Sequence, residues 1–531
     1  MRSSAALLLL LGCGCYLTGL SRAEEVEGED AQTVDAVVQD SASIGNGFND
    51  IAVAAVYDSD DDFLYMAINT DDELEVQENA GGTDIVITKL DANLGQEEGT
   101  QLGGDGDDIV TAIAFDEPTL IVIVGSTFSE DDHLFDTAPN DEEQSDWFIA
   151  TLNSQTLEVE SSYVNGTIFE ADKATAVAVD PEEDSNSYYV AGTTFGDYPE
   201  TNAGKSDWWV AKIGDDLDDD PDWMMQFGTE VDDTPTALVA GDGVVFVVGN
   251  VQDNEGDLSD SELEETAAVF VHAFDSDGDE LWTMESGLLG FLSDSAAAYG
   301  AVLNEDESEL FVSGNTRGVI DGFDGDSTGS DELFVASIDA EEGTINWVWQ
   351  SEANATAFGT GGVVMADDGI SPIVGGIAFG NFFNLTFTYW EDGSGDMIAA
   401  KINPVTKEVS KYFNAAAAST ETREDPLSIV KDPSVLDGVF LIGKQDGDFL
   451  DEDVEPEEDP DSESGENMAN YLGLKVELEE LPEEVVEDEG KDYPYWYIGV
   501  PVFAIGGLLF VVAYKWAAAS QAAKAKQATM V

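Results

Sequence analysis

Short apolar runs separated by acidic turns recur along the chain at a nearly constant spacing. In the clearest run an acidic residue precedes apolar residues, as in Asp-Trp-Trp-Val-Ala-Lys-Ile-Gly at positions 207–214. Seven copies of this run, some degenerate, follow one another at steps of 61 to 74 residues. They occupy residues 84–91, 146–153, 207–214, 268–275, 332–339, 396–403 and 470–477. Apolar runs of this length between turn residues are typical of buried β-strands.

Three further strand patterns recur in phase with this run. One ends in glycine, a second precedes the glycine-ended strand, and a third is marked by Trp223, Trp282 and Trp347. The glycine-ended copies are residues 63–67 (with alanine for glycine), 120–125, 188–192, 245–249, 310–314, 372–375 and 440–443. Copies of the preceding strand are residues 51–57, 112–116 and 176–180. No strong helical periodicity interrupts these strands between Glu24 and Asp492.

Four antiparallel strands repeated seven times predict an all-β fold, a seven-bladed β-propeller over residues 34–480. A string of separate sandwiches is the alternative, but a unit of about 62 residues with four strands lacks a core of its own. Residues 34–45 are expected to supply the missing strand of the first blade. Whether they instead close the last blade depends on the phase of the repeat, which the pattern leaves open.

The repeat also resembles a known family. Residues 102–108, Leu-Gly-Gly-Asp-Gly-Asp-Asp, are followed by Ala-Ile-Ala-Phe-Asp at 112–116. Gly-Ser-Thr and Gly-Thr-Thr end the strands at 125–127 and 192–194. Together with the run at 207–213, these motifs resemble the SBBP-type β-propeller repeat, best in the first three units. The resemblance covers about residues 34–480 and implies a propeller in a secreted or surface protein, without a catalytic motif to transfer.

The N-terminus has the pattern of a secretory signal peptide at residues 1–23. Residues 5–11 are apolar, and Ser21 and Ala23 place small residues before a cleavage site. A bacterial lipoprotein signal at residues 10–13 is the weaker alternative, because a second anchor downstream would make it redundant.

The second anchor is an apolar run at residues 498–514 that aromatic residues bracket on both sides. It predicts a transmembrane helix at 495–516, preceded by an acidic stalk at 481–494. The tail at 517–531 carries lysines and no acid, so positive-inside reasoning places it in the cytosol. The prediction is a single-pass type I protein of the plasma membrane or of a secretory-pathway membrane.

The amino-acid composition limits the kinds of functional site that the mature chain can form. Both cysteines, Cys13 and Cys15, lie in the predicted signal peptide, so disulfides, zinc–thiolate sites and cysteine nucleophiles are excluded from the mature chain. The 113 acidic residues against 18 basic ones give a net charge of −95, which excludes nucleic-acid binding. An apolar fraction of 43% and an aromatic fraction of 10% argue against disorder.

Oxygen ligands dominate, so a metal would be a hard one such as Ca²⁺. Two acidic turns start like calcium loops, and their candidate ligands are Asp105, Asp107, Asp108, Asp275, Asp277 and Asp279. The first turn carries a β-roll motif once, although that motif works in tandem. The second has Glu280 where an EF-hand loop needs glycine. Strand-connecting turns are the favoured interpretation of both, and weak calcium binding is a hypothesis.

Other motifs are sparse. Asn165, Asn354 and Asn384 stand in glycosylation sequons, and Thr529 with the C-terminal Val531 fits a PDZ-type ligand. Neither His133 nor His272 has a nucleophile partner in sequence, and a phosphate loop opening a helix is missing. Carboxylate pairs carry no information in so acidic a chain.

The sequence therefore predicts a non-enzymatic binding protein rather than an enzyme. Its acidic ectodomain would bind cationic proteins, polyamines, or a matrix or polysaccharide bridged by Ca²⁺, in adhesion, matrix attachment or cargo reception. The second hypothesis is an extracellular carbohydrate-active enzyme, which requires a carboxylate cluster at the channel mouth. A third takes the acidity as an adaptation to a saline medium.

Overall fold

The computed structural model describes residues 38–44, 50–71, 79, 81–128, 144–167, 170–181, 187–215, 217, 219–253, 266–284, 296–320, 323, 331–351, 356–379, 396–414, 423–446 and 469–480. The predicted signal peptide, stalk, membrane helix and tail lie outside these ranges. Within the ranges, no helix is long and apolar enough to cross a membrane.

The strands form seven antiparallel sheets, or blades, in chain order. The first three blades contain β2 (Ile51–Asp58), β3 (Phe63–Thr70), β4 (Asp84–Asp91) and β5 (Gln96–Leu102); β6 (Asp108–Asp116), β7 (Leu120–Thr127), β8 (Asp146–Asn153) and β9 (Val159–Asn165); and β10 (Asp172–Val179), β11 (Ser187–Thr194), β12 (Asp207–Gly214) and β13 (Trp223–Phe227). The fourth and fifth contain β14 (Asp232–Gly241), β15 (Val244–Asp253), β16 (Thr266–Asp275) and β17 (Glu280–Met284); and β18 (Ala296–Leu303), β19 (Glu309–Thr316), β20 (Glu332–Asp339) and β21 (Ile345–Gln350). The sixth contains β22 (Thr356–Met365), β23 (Pro372–Phe379), β24 (Asp396–Asn403), β25 (Glu408–Asn414) and β29 (Glu479–Glu480); the seventh contains β26 (Arg423–Asp432), β27 (Gly438–Asp446), β28 (Ala469–Glu477) and β1 (Val38–Ile44).

The first strands of the blades form the inner ring of the fold. Each contacts the first strand of the next blade, and β26 of the seventh blade contacts β2 of the first, which closes the circle. The prediction of a seven-bladed propeller is therefore confirmed. The run that made the repeat visible in the sequence is the third strand of each blade.

The N-terminal strand closes the ring in the last blade. β1 pairs antiparallel with β28, with Ile44 opposite Tyr471 and Val38 opposite Val476. The expectation that residues 34–45 complete the first blade was wrong, because β5 already occupies its fourth position. β5 reads Gln-Glu-Glu-Gly-Thr-Gln-Leu and gave no apolar signal. Joining the two ends of the chain in one blade leaves the ring without an open strand edge at its closure.

A β-bulge interrupts the pairing of every first strand with its neighbour in the same blade. In three blades the bulge residue is a threonine whose hydroxyl donates to a backbone carbonyl of the next blade's first strand. The bonds run from Thr111 to Ala174 at 2.7 Å, from Thr175 to Pro235 at 2.8 Å and from Thr236 to Ala298 at 3.0 Å. These bonds fix neighbouring blades at the same height around the ring.

The cores lie between adjacent blades. β4 and β8 are each buried at seven of eight positions, so both faces of a blade are covered, as their continuous apolar runs predict. The Trp147 and Trp209 rings lie 4.8 Å apart across the second and third blades, and the Trp208 and Phe270 rings lie 5.0 Å apart across the third and fourth. Such pairs add about 0.5–1.5 kcal/mol to the area that they bury.

Candidate functional site: an acidic face of hairpin turns

One face of the ring carries all the tight hairpins, because the first and third strands of a blade run in the same direction. We call the turns from first to second and from third to fourth strands the hairpin face, and the opposite side the loop face. The described hairpin-face turns expose nineteen acidic residues and one base, Lys407. The acids are Asp60, Asp61, Asp62, Glu117, Glu158, Asp215, Asp219, Asp220, Asp222, Asp242, Asp277, Asp279, Glu305, Asp306, Glu307, Glu341, Glu342, Asp367 and Asp368.

Lysines of the third strands leave this charge largely uncompensated. They occupy one repeated position, two residues before the end of the strand: Lys89, Lys212, Lys401 and Lys475. The ammonium of Lys89 donates to the Ser154 carbonyl of the next blade at 3.1 Å, and that of Lys475 donates to the Ala92 carbonyl at 2.7 Å. These two ammonium groups stabilise the ring, because each bonds to a backbone carbonyl of the neighbouring blade.

Lys212 shows how such a cation stays charged. Its Nζ lies 2.7 Å from Oδ2 of Asp180, and it also lies over the ring of Tyr189. Burial lowers the pKa of Lys212, but the hydrogen bonds and charges of Asp180 and Tyr189 outweigh burial and leave the pKa raised. The pair is internal and satisfied, so it offers nothing to a partner.

An ion-pair network spans the sixth and seventh blades. Lys401 reaches Asp368 at 2.9 Å and Asp437 at 3.0 Å, and Lys411 reaches Asp437 at 3.0 Å. Lys431 reaches Asp367 at 2.9 Å. Burial would raise the pKa of Asp437, yet Lys411 and Lys401 hold it below its ordinary value. The network neutralises this sector, so the excess of exposed acid lies on the other blades.

A groove of about 480 Å³ lies beside the network, between the fifth and sixth blades. Val302, Leu303 and Met365 give it an apolar floor, and Glu305 and Asp367 stand at its rim. The Glu305 amide donates to the Gly369 carbonyl at 3.1 Å and joins the two turns. An apolar floor with an acidic rim suits a lysine or arginine side chain, whose stem is apolar and whose end is cationic.

The first predicted calcium turn joins β5 to β6 on the loop face. Asp108 is fully buried, and its Oδ2 accepts the Gly104 amide at 2.7 Å. Oδ1 of Asp107 accepts the Thr83 amide at 3.0 Å, while Asp105 is exposed. The carboxylates of Asp107 and Asp108 thus hold the backbone of a strand connection.

The second predicted turn joins β16 to β17 on the hairpin face. Oδ1 of Asp275 accepts the amides of Asp277 at 3.1 Å and Asp279 at 2.8 Å, while Gly278 adopts a φ of 88°. In the described part of the chain, no three His, Cys, Asp or Glu side chains are grouped to hold a metal ion. The two turns lie on opposite faces, and calcium binding stays a prediction.

The remaining predicted residues divide between described and undescribed parts. Asn165 is half-buried; its Nδ2 donates to Tyr163 at 2.6 Å and its Oδ1 accepts the Gly166 amide at 2.8 Å. Asn354, Asn384, Thr529 and Val531 lie outside the described residues, as does His133.

His272 is a core residue of β16. It is 4% exposed, and its ring lies 4.9 Å from that of Trp208. Its Nδ1 lies 3.3 Å from Oε2 of Glu280, and its Nε2 lies 3.1 Å from Thr283 Oγ1. This packing accounts for a histidine in an apolar strand.

The carbohydrate-active hypothesis required carboxylates at the channel mouth. Acidic residues do stand at or beside the loop-face starts of four inner strands: Asp50, Asp108, Asp172, Asp232 and Asp233. All of them except Asp232, which pairs with Lys205, are at most 1% exposed, so a sugar in the channel could not touch those four.

Sequence reasoning missed the hairpin face and the groove. The acids were visible in the turns, but assigning them to one face needed the phase of the strands. The groove could have been suspected where apolar strand ends, such as Val302 and Met365, meet acidic turns.

Comparisons with known proteins assign this chain to no family. No family model matches the chain, and no curated protein matches it. The structure of U3-55K is 8% identical with a TM-score of 0.41 and covers 83% of this chain and 100% of its own. A protein of unknown function from Dyadobacter fermentans DSM 18053 is 9% identical with a TM-score of 0.41, covering 83% and 99%.

The phage phi92 endosialidase is 10% identical with a TM-score of 0.37, and covers 88% of this chain and 72% of its own. Scores and identities this low carry no argument about function. The propeller assignment rests on the sheet topology described above, and the likeness to SBBP-type repeats rests on the quoted motifs.

Proposed function

We propose that this chain is a non-enzymatic, membrane-anchored binding protein whose propeller takes cationic protein segments on its hairpin face. One observation carries the proposal: the described hairpin-face turns expose nineteen acids beside a single exposed lysine. Outside the network of the sixth and seventh blades, the strand lysines do not offset this field, because carboxylates and carbonyls inside the ring engage Lys89, Lys212 and Lys475.

The fifth blade is the expected centre of binding. Its two hairpin turns expose Glu305, Asp306, Glu307, Glu341 and Glu342, and the groove with the apolar floor begins at its edge. A lysine or arginine side chain could place its stem on Met365 and its charge against Glu305. The field of the whole face would speed the encounter of a cationic partner by about 10- to 1000-fold at low salt.

The cell-biological setting comes from the sequence. A signal peptide at 1–23 and a membrane helix at 495–516 would hold the propeller outside the cell or in the secretory lumen. The stalk at 481–494 would keep it off the bilayer, and the tail ending at Val531 would be open to a PDZ-type protein in the cytosol. Polyamines and a Ca²⁺-bridged matrix are the other ligands that an acidic face could take.

The test measures binding of a lysine-rich peptide to the full-length protein in detergent micelles. The triple variant Glu305→Lys, Glu341→Lys and Glu342→Lys reverses three exposed charges of the fifth blade. The control Glu170→Lys, Glu200→Lys and Glu230→Lys reverses three exposed loop-face charges, so both proteins have the same net charge. We expect the first variant to weaken binding about tenfold and the second much less.

Salt and competing ligands separate the alternatives. Binding to the hairpin face should weaken steeply with ionic strength, because exposed charges are screened. Equal losses in the two triple variants would refute a local site and leave only the overall charge. Spermine binding without peptide binding would favour a polyamine ligand, and peptide binding that requires Ca²⁺ would favour a bridged partner.

A further inference from the structure

Three consecutive blade junctions on the loop face each bury two carboxylates. One begins the third strand of a blade, and the other is the first or second residue of the first strand of the next blade. The pairs are Asp84 with Asp108, Asp146 with Asp172, and Asp207 with Asp233. All six residues are at most 1% exposed. Two carboxylates buried together repel each other and lose hydration, which normally forces one of them to bind a proton or a cation.

A glycine lets the two carboxylates of a pair approach each other. A Cβ placed on Gly166 would lie 2.2 Å from Oδ1 of Asp146 and 2.9 Å from Oδ2 of Asp172. Both carboxylates therefore face the same point. Gly103 has the same relation to the first pair, with distances of 2.2 Å to Asp84 Oδ1 and 3.3 Å to Asp108 Oδ2.

The junction between the third and fourth blades shows the bonding most completely. Oδ2 of Asp207 accepts Gln226 Nε2 at 2.9 Å and the Ala203 amide at 3.0 Å. Oδ2 of Asp233 accepts the amide of Thr229 at 2.6 Å and its hydroxyl at 2.9 Å. These donors are neutral, so they orient the carboxylates without cancelling their charge. Oδ1 of Asp207 is buried and accepts no hydrogen bond within the described residues.

Within the described residues, the charged neighbours of this junction leave the pair uncompensated. Asp232 stands beside Asp233 on β14 and adds a third negative charge. Lys205, in the turn before β12, is the nearby cation, but its Nζ pairs with Asp232 at 3.7 Å on the open rim. β13 presents the neutral Gln226, and the turn before β14 exposes Glu230 to solvent.

The next junction shows that the strands do not need these acids. Thr194 of β11 lies opposite Asp207, and Val251 of β15, at the same place in the next blade, lies opposite Ala268. On the other side of the junction, Ala296 of β18 stands where Asp233 stands in β14. Ala268 and Ala296 thus occupy the positions that Asp207 and Asp233 occupy at the junction of the third and fourth blades.

We propose that Asp207 and Asp233 form a proton-binding site at the junction of the third and fourth blades. In an acidified compartment the pair takes up one proton from solvent. No bond between heavy atoms changes, and the pair loses one unit of negative charge. Asp146 with Asp172, and Asp84 with Asp108, repeat the arrangement in the two preceding junctions.

The direction of the pH effect follows from burial. Burial raises the pKa of Asp233 to about 6, against the hydrogen bonds from Thr229 and with smaller contributions from the charges of Asp207 and Asp232. An aspartate in an unfolded chain has a pKa of about 3.9. The proton therefore stabilises the folded ring fully below about pH 4, and this contribution is lost as the pH rises through about 6. Burial also raises the pKa of Asp172.

The test compares the pH dependence of thermal unfolding in full-length protein and variants. Asp233→Asn and Asp207→Asn mimic the protonated pair with an amide of the same size. The control Glu230→Gln removes one charge from an exposed residue of the same loop. We expect either asparagine variant to reduce the rise in Tm between pH 7.5 and pH 5 by about 2–3 °C, and the control to leave it unchanged.

Two further measurements keep the proposal open to refutation. An infrared difference spectrum between pH 7.5 and pH 5 should show a buried protonated carboxyl group that Asp233→Asn removes. Equal pH profiles in the asparagine and glutamine variants would overturn the proposal. So would Ca²⁺ at pH 7.5 stabilising the unmodified protein but not Asp233→Asn, because the pair would then be a cation site.

Discussion

The junction between the third and fourth blades and the junction between the fourth and fifth share their strand pairing but differ in chemistry. The first buries Asp207 and Asp233 at the loop face, whereas the second has Ala268 and Ala296 in the same places. Both also carry a threonine bridge at the bulge, from Thr175 or Thr236 to the next blade. The ring therefore closes equally well with and without buried charge.

The two junctions also differ in a backbone link two residues further along their inner strands, after Asp233 and Ala296. In the uncharged junction the Asn250 side chain donates to the Ala298 carbonyl at 3.0 Å and accepts its amide at 2.8 Å. The charged junction has Pro235 in place of Ala298, and proline has no amide to donate. A two-way amide bridge is therefore impossible there.

The first junction, between the first and second blades, shows that the two devices are compatible. Asn69 bridges Val110 in both directions at 2.9 Å, and the pair Asp84 and Asp108 is buried close by. The carboxylates are thus an addition to the backbone links rather than a substitute for them. We infer that acid pairs decide where the ring responds to pH, while the amide and hydroxyl bridges decide where it stays closed at any pH.

Removing a tryptophan that packs at each junction should give the largest effect. Trp208 is 3% exposed and stacks on Phe227 at 4.6 Å and on Phe270 at 5.0 Å. Trp208→Ala should lower the free energy of unfolding by about 3–5 kcal/mol in urea titrations followed by circular dichroism.

Trp282→Ala is the matched change in the uncharged junction. Trp282 is half-buried, lies 5.7 Å from Phe246, and donates to the Ala340 carbonyl at 3.0 Å. Its loss should cost about half as much, because it buries less area. A larger loss for Trp282 than for Trp208 would mean that packing, and not buried charge, distinguishes the two junctions.

Introducing a carboxylate into the uncharged junction should have the next largest effect. Ala296→Asp places an acid where Asp233 stands one blade earlier, and it should lower the free energy of unfolding by about 2–4 kcal/mol at pH 7.5. Burial raises the pKa of the new carboxyl, so part of the loss should be recovered at pH 5. The measurement is urea unfolding at both pH values.

Ala296→Asn is the control for this change. The asparagine has nearly the same size and no charge, so its cost should not depend on pH. If the aspartate and asparagine variants lose the same amount at pH 7.5 and at pH 5, the charge of a buried acid would not govern junction stability, and the comparison would fail.

The sequence predicts the blades well because the buried strands carry their own signal. The third strands, such as β4 and β12, begin with an acid and continue with apolar residues, and they lie where the repeat places them. The outer strands were harder: β5 is polar and mostly exposed, so it leaves no apolar pattern. For the outer strands β13, β17 and β21, the sequence offered a single signal, a tryptophan in each strand.

Ring closure and the acid pairs could not be predicted for a different reason. β1 pairs with a strand more than 400 residues away, and its short polar sequence would fit either end of the ring. Asp207 and Asp233 were both visible in the repeat. Their approach depends on Gly228, which faces Asp207, and on the turn at Thr229 that leads into the next blade. Sequence spacing alone does not give that geometry.

The smallest expected effect concerns the bridges that the two junctions share. The Thr175 hydroxyl donates to Pro235 across the charged junction, and the Thr236 hydroxyl donates to Ala298 across the uncharged one. Valine keeps the shape and the β-branch but lacks the donor. Thr175→Val and Thr236→Val should each lower the free energy of unfolding by about 1 kcal/mol, to the same extent at pH 5 and pH 7.5.

The two valine variants also test whether the acid pair bears on the bridge. A hydroxyl bonded to a carbonyl does not titrate, so any pH dependence of the Thr175→Val loss would have to come from buried acids that move with the weakened junction, where Asp207 and Asp233 lie. The Thr236 bridge crosses the junction without an acid pair, so Thr236→Val sets the baseline. A larger loss for Thr175→Val at pH 7.5 than at pH 5, absent from Thr236→Val, would show that the charged junction depends on its bridge when the pair is fully ionised.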